Sequence, residues 1–208
     1  MQVLVIIIYL IINMVGGAKY KKSGFVCYTL IVFCSLLIYG CAAPEHYTRP
    51  KTDISNIKRV AVLPMENFTS SDEYAGEKVR RVVITELLSR GIDVIEPGEV
   101  TRVLKESNIR SLGSIKITDI QNTGKTLGVE AVMMGSVEAF GISRGISVSY
   151  PEVTVNLVLF ESSSGSIIWS VRHSVGGASF WTRHFGSEGI TLSEAVRQAV
   201  KEAVDTLF

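Results

Sequence analysis

Cysteine is the residue type in this chain whose position could carry chemistry. All three cysteines, Cys27, Cys34 and Cys41, lie within fifteen residues, in or at the end of one apolar stretch. Cleavage of the chain before Cys41 would leave the mature protein with that cysteine alone. A disulfide framework and a Cys-x-x-Cys metal or redox site are then excluded. The chemistry that remains is modification of a single thiol.

Residues 1–40 have the order of an export signal. A basic cluster with lysines at 19, 21 and 22 precedes the apolar stretch 25–39, and small residues follow it. This stretch is shorter than the roughly twenty apolar residues that a membrane-spanning helix needs. A further apolar stretch at 3–12 precedes the basic cluster, but a start at Met14 would give a signal peptide of ordinary size. We therefore predict a signal peptide over 1–40 with Met14 as the candidate true start, and a two-segment membrane hairpin is the alternative.

The end of this segment carries a motif that assigns a role to Cys41. The run Leu37-Ile38-Tyr39-Gly40-Cys41 resembles the bacterial lipobox. The resemblance implies that the thiol receives a diacylglyceryl group, becomes the new N-terminus and is acylated again, for example by palmitate. Three acyl chains give a lasting membrane anchor, whereas one chain is marginal. Ala42 stands where an aspartate would favour the inner membrane, so the resemblance implies the periplasmic face of the outer membrane.

The rest of the sequence predicts no catalytic constellation. The histidines at 46, 173 and 184 have no Cys, acid or further His at metal-ligand spacing. No nucleophile elbow, zinc-protease motif or phosphate-binding loop is present. The acids in 66–73 precede a helix, where the helix dipole favours them. We therefore expect no enzyme, no metal, no cofactor and no small-molecule substrate.

Two loops have the composition of recognition surfaces. Residues 176–189 contain Phe180, Trp181, Arg183 and Phe185 in a segment without helix or strand periodicity. Trp and Arg are common interface anchors, although the aromatic side chains could instead fold back and cap the sheet. The connection 141–151 offers Arg144 and Tyr150 as further candidates for partner contact.

The remaining elements predict one α/β domain over 58–208, behind a lipidated tether at 41–57. The tether is polar, Pro-containing and aperiodic. Short apolar runs at 58–63 and 92–95 indicate strands, and capping pairs at Ser70/Glu73 and Thr118/Gln121 indicate helix starts. Three more strands and a final helix opened by Thr191 and Glu194 follow. The sum is a βαβααβββα two-layer sandwich with a mixed sheet.

Three segments of this domain resemble the TolB amino-terminal-like superfamily, which includes CsgG, LpoB and lipoproteins of the GNA1162 type. They are the run 60–68 (VAVLPMENF), the run 127–137 (LGVEAVMMGSV) and the hairpin 161–169 (ESSSGSIIW). The resemblance covers most of 58–208 and implies the TolB-like fold. It says less about function, because folds of this kind host several functions.

These observations together predict an adaptor or accessory lipoprotein that faces the periplasm and binds other envelope proteins or copies of itself. The alternative is a secretion-pore subunit of the CsgG kind, but the connections 141–151 and 176–189 are too short for spanning hairpins. Removing the three export-segment lysines from the 21 basic residues leaves 18 against 20 acidic residues, a formal charge of −2. No basic run follows, so a nucleic-acid partner is excluded.

Overall fold

The computed structural model describes residues 44–50, 52, 54–109, 111–144, 149–176 and 190–208. Within them, seven strands form one mixed sheet in the order β1-β7-β6-β5-β2-β4, with β3 beside β5. No helix of these residues is long and apolar enough to cross a membrane. The elements, in chain order, are β1 Glu45–Thr48, β2 Arg59–Val62, β3 Glu66–Asn67, α1 Ala75–Ser89, β4 Asp93–Val94, α2 Pro97–Glu106, α3 Ile117–Leu127, β5 Ala131–Arg144, β6 Ser149–Glu161, β7 Ile167–Gly176 and α4 Leu192–Asp205.

The sheet has a parallel half and an antiparallel half. Strand β2 pairs in parallel with β4 and with β5, as expected for strands joined by helical crossovers. Strands β5, β6 and β7 form an antiparallel meander. The α/β class, the mixed sheet and the predicted order of the main strands and helices are confirmed.

Two hydrophobic cores lie on opposite faces of the sheet. Alternate residues of one strand point to opposite faces, and accordingly Val60 and Val62 of β2 belong to one core while Ala61 and Leu63 belong to the other. The larger core lies under α1 and α4 and includes Trp169. The smaller core contains apolar residues of α2 and α3. Helices therefore cover both faces of the sheet, which makes three layers where the sequence predicted a two-layer sandwich.

Strand β1 lies inside the segment that the sequence predicted to be a tether, 41–57. Its four residues pair with β7, with Glu45 opposite Arg172 and Thr48 opposite Trp169. All four side chains are exposed, so the strand is held by backbone pairing rather than by a buried face. A short helical turn, Ile54–Asn56, follows. The part of this segment that can act as a free tether is therefore shorter than predicted.

The connection 141–151 also differs from its prediction. Strand β5 continues to Arg144 and β6 begins at Ser149, with these two residues paired across the ribbon. The predicted strands ended at 140 and began again at 153. The Gly, Ser and Pro content of the segment indicated a loop, but this ribbon pairs through its backbone at the edge of the core. We call residues 141–144 and 149–151 the hairpin.

A close approach between α3 and the β6–β7 turn requires glycine at position 124. A Cβ atom there would lie 2.4 Å from Ser162 Oγ and 2.5 Å from Ser162 Cβ. We expect Gly124→Ala to destabilise the fold by about 1–3 kcal/mol, as overpacking usually does. The matched control is Gly98→Ala in α2, where nothing lies within 4 Å of the added methyl. Urea unfolding should show the control unchanged or slightly stabilised, and equal effects of the two changes would contradict the contact.

Candidate functional site

Most of the predicted site residues lie outside the described part of the chain. Cys41 and the aromatic-loop residues Phe180, Trp181, Arg183 and Phe185 are among them. Of the predicted contact residues, the structure places Arg144 and Tyr150. They lie near the tip of the hairpin, where Arg144 is exposed and Tyr150 is half-buried.

The hairpin forms one end of the sheet. Strand β5 runs toward it, and β7 ends beside it because Gly176 pairs with Glu152 of β6. The hydroxyl of Ser143 donates a hydrogen bond to the Glu152 carboxylate across the two strands. Because Gly176 precedes the segment 177–189, one end of that predicted recognition loop is fixed at the same end of the sheet.

A tight turn after β3 lies at this end as well. The Asn67 amide donates to the backbone carbonyls of Asp72 and Glu73, at 2.8 and 3.1 Å. Its carbonyl oxygen accepts from the backbone N–H of Thr69 at 3.1 Å. The predicted Ser70/Glu73 capping box does not form. The helix begins instead at Ala75, after Tyr74, whose N–H donates to Asp72 Oδ1 at 2.9 Å. These bonds fix the turn without using its aromatic side chains.

Three large apolar side chains at this end are exposed to solvent. Phe68 is 67% exposed, Tyr74 64% and Ile142 58%. Phe68 and Ile142 line the same shallow cavity of about 260 Å³, between the turn and the hairpin. We call the end of the sheet that carries these three residues and the hairpin the hairpin end. None of these three residues was predicted from the sequence, because a single exposed apolar side chain in a polar segment carries no periodic signal.

The turn carries an ion pair whose strength can be measured. Lys78 donates to the Asp72 carboxylate, and this bond together with the Tyr74 N–H lowers the pKa of Asp72. A lowered pKa means that the bonds persist above the ordinary aspartate pKa and are lost as the pH falls through the lowered one. We expect Lys78→Met to raise the pKa of Asp72 toward its ordinary value. Carboxyl NMR titration checks this, with Lys105→Met on α2 as the control, and an unmoved Asp72 midpoint would contradict the pair.

Side chains of the kinds that bind metal ions do not cluster within the described residues. No group of three or more His, Cys, Asp or Glu side chains within them could hold a metal ion. His173 lies against α4, with its Nε2 2.6 Å from Glu202 Oε2. His46 contacts the Pro44 carbonyl through Nδ1 at 3.0 Å. The first contact joins β7 to α4, and the second joins β1 to the residue that precedes it.

A surface groove of about 680 Å³ runs between α1 and α4. Three basic and three acidic side chains line it, so its charges balance and it has no net charge of one sign to attract a charged ligand. The charged residues that line it are Arg81, Glu86, Arg197, Lys201, Glu202 and Asp205.

Comparison with known proteins supports the fold. No protein-family model and no curated protein sequence matches the chain. A dodecamer of a point variant of PelC from Paraburkholderia phytofirmans is similar in structure, with a TM-score of 0.55, 20% identity, and coverage of 80% of this chain and 98% of that one. Lipoprotein GNA1162 from Neisseria meningitidis gives a TM-score of 0.52 and 18% identity over 71% of this chain and 98% of its own. At these identities the likeness shows a shared fold, and it agrees with the predicted resemblance to the GNA1162 type.

Proposed function

We propose that this chain is an accessory lipoprotein of the bacterial envelope. Acyl chains on Cys41 anchor it to the outer membrane on the periplasmic face, and its domain binds other envelope proteins or further copies of itself. The observation that carries the proposal is the position of a lipobox cysteine four residues before the first strand of the sheet. The fold of that sheet is shared with a protein that is itself a lipoprotein, GNA1162.

Self-association is one form that partner binding takes in this proposal. PelC, which has a similar fold, forms a dodecamer. The present chain has an edge strand, β1, with no strand on its outer side among the described residues. Pro44 and Pro50 flank that strand, and prolines at a sheet edge discourage uncontrolled strand addition. We therefore place specific contacts at loops rather than along this edge.

The proposed contact residues are those of the two recognition loops. Arg144 and Tyr150 belong to the hairpin, and the segment after Gly176 supplies Phe180, Trp181, Arg183 and Phe185. Arg and aromatic side chains are the residue types that most often anchor interfaces. Their role is binding, not catalysis.

In-cell photocrosslinking tests the partner-binding part of the proposal. A photoreactive residue at position 150 or 181 is expected to give a discrete product, either at a multiple of the chain's own mass or at the mass of a second envelope protein. Position 117 is the control, because Ile117 is 60% exposed and lies beside the β6–β7 turn, at the other end of the sheet. Identical products from positions 117 and 150, or no discrete product from positions 150 and 181, would contradict the assignment of partner contacts to these two segments.

A further inference from the structure

The direction of β1 determines which end of the sheet its first residue, Glu45, lies toward. Strand β1 is antiparallel to β7, and Glu45 lies opposite Arg172. From Arg172, β7 runs four more residues to Gly176, at the hairpin end. Strand β1 therefore begins nearer the hairpin end than it finishes.

A lipid anchor on Cys41 would keep the start of β1 close to the membrane. Only residues 42–44 separate Cys41 from Glu45. Four residue steps span at most about 14 Å when fully extended. The stretch of β7 from Arg172 to Gly176 covers nearly the same length, about 13 Å. However residues 42–44 are arranged, an anchor on Cys41 can reach only about as far as the end of β7.

The hairpin projects beyond that level. Gly141 pairs with Glu152, which in turn pairs with Gly176. The three residues from Ile142 to Arg144 therefore extend past the end of β7, by about 10 Å at the rise of an extended strand. When the strands run perpendicular to the bilayer, with this end toward it, the hairpin reaches at least as far toward the bilayer as Cys41 can.

The side chains at this end suit the membrane interface. Phe68, Tyr74 and Ile142 are all more than half exposed. Aromatic rings are enriched at the boundary between headgroups and acyl chains, and apolar area buried there strengthens peripheral binding. The exposed Arg144 can extend its charged group into the headgroup layer while its stem stays against apolar surface.

The geometry points to the hairpin end as a lipid-facing surface. With the acyl chains of Cys41 in the bilayer, Phe68, Tyr74 and Ile142 enter the interfacial region of the same leaflet. This inference rests on the proposed lipid anchor and adds an orientation to it. Contacts made through Arg144 and Tyr150 are then contacts with a protein in or on that same membrane.

Site-directed spin labelling of the full, processed chain tests this orientation. The Cys41 thiol is consumed by its lipid, so Ile142→Cys and Leu88→Cys each provide one free thiol for a nitroxide. Leu88 is 51% exposed near the end of α1 that leads into β4, at the opposite end of the sheet. In phosphatidylethanolamine–phosphatidylglycerol vesicles, the ratio of oxygen to nickel-complex collisions should be severalfold higher at 142 than at 88. Tyr74→Cys repeats the measurement if the first variant does not fold.

The outcomes separate the orientation from the anchor. Equal, water-like ratios at 142 and 88 in protein that floats with the vesicles would overturn the orientation and leave the anchor standing. A label at 142 shielded from both reagents would mean that protein covers this end, which also overturns it. Protein that fails to float would overturn the anchor, and the orientation with it.

Discussion

Replacing Trp169 by alanine is expected to lower the free energy of unfolding by about 3–5 kcal/mol, the usual cost of deleting a buried aromatic side chain. Trp169 is 0% exposed in the larger core, on β7. Its Nε1–H donates to Thr206 Oγ1, at 3.1 Å, just beyond the end of α4. The indole therefore joins the antiparallel half of the sheet to the last helix. Domains are stable by roughly 5–15 kcal/mol, so this loss would be a large fraction of the total.

Urea unfolding of the mature domain without acyl chains measures this effect. Thr206→Val removes the acceptor for the indole N–H and also the hydrogen bond that the Thr206 hydroxyl donates to the Ala203 carbonyl at 2.7 Å, and should cost about 1–3 kcal/mol. Tyr47→Ala on the neighbouring strand β1 is the surface control, since Tyr47 is 49% exposed, and it should change stability by no more than about 0.5 kcal/mol. An effect of Trp169→Ala as small as that of Tyr47→Ala would contradict the described core.

The elements with a buried face were predictable from sequence. Helix α4 carries an apolar stripe whose members are buried in the structure, and its start has the predicted pair, because Glu194 N–H donates to Thr191 Oγ1 and Thr191 N–H donates to Glu194 Oε2. Strands β2 and β5 were predictable for the same reason, because their apolar runs indicate buried strands.

The elements that the sequence did not predict are held by backbone hydrogen bonds rather than by buried side chains. Strand β1 reads Glu-His-Tyr-Thr and buries none of its side chains, so it has no hydrophobic pattern to detect. Its partner β7 lies more than a hundred residues away in sequence, and only the assembled sheet brings the two together. The hairpin is similar, because its Gly and Ser residues pair across a ribbon at the margin of the core.

The contact roles that the sequence assigned to Arg144 and Tyr150 stay predictions. Both residues were chosen by residue type, and the structure places them near the tip of the hairpin. Phe68, Tyr74 and Ile142 were not identified, because exposure and proximity are properties of the fold. The orientation of the domain depended on β1 and could not be derived from a segment that the sequence predicts to be a free tether.

Replacing Cys41 by serine is expected to abolish lipid attachment completely. A hydroxyl does not take the place of the thiol in forming the thioether to diacylglycerol, and without acyl chains the domain has no lasting anchor. The apolar side chains of the hairpin end alone should give weak, reversible membrane binding. Cys34→Ser is the matched control, since residue 34 lies in the segment predicted to be removed.

Metabolic labelling with palmitate, followed by flotation of the membranes, tests the account most directly. The wild-type chain and Cys34→Ser should carry label and float with the outer-membrane fraction. Cys41→Ser should carry no label, whether or not its uncleaved apolar segment 25–39 keeps it in the membrane fraction. Label that persists in Cys41→Ser would contradict the account, because the lipid would then be attached elsewhere and the short reach to β1 would no longer apply.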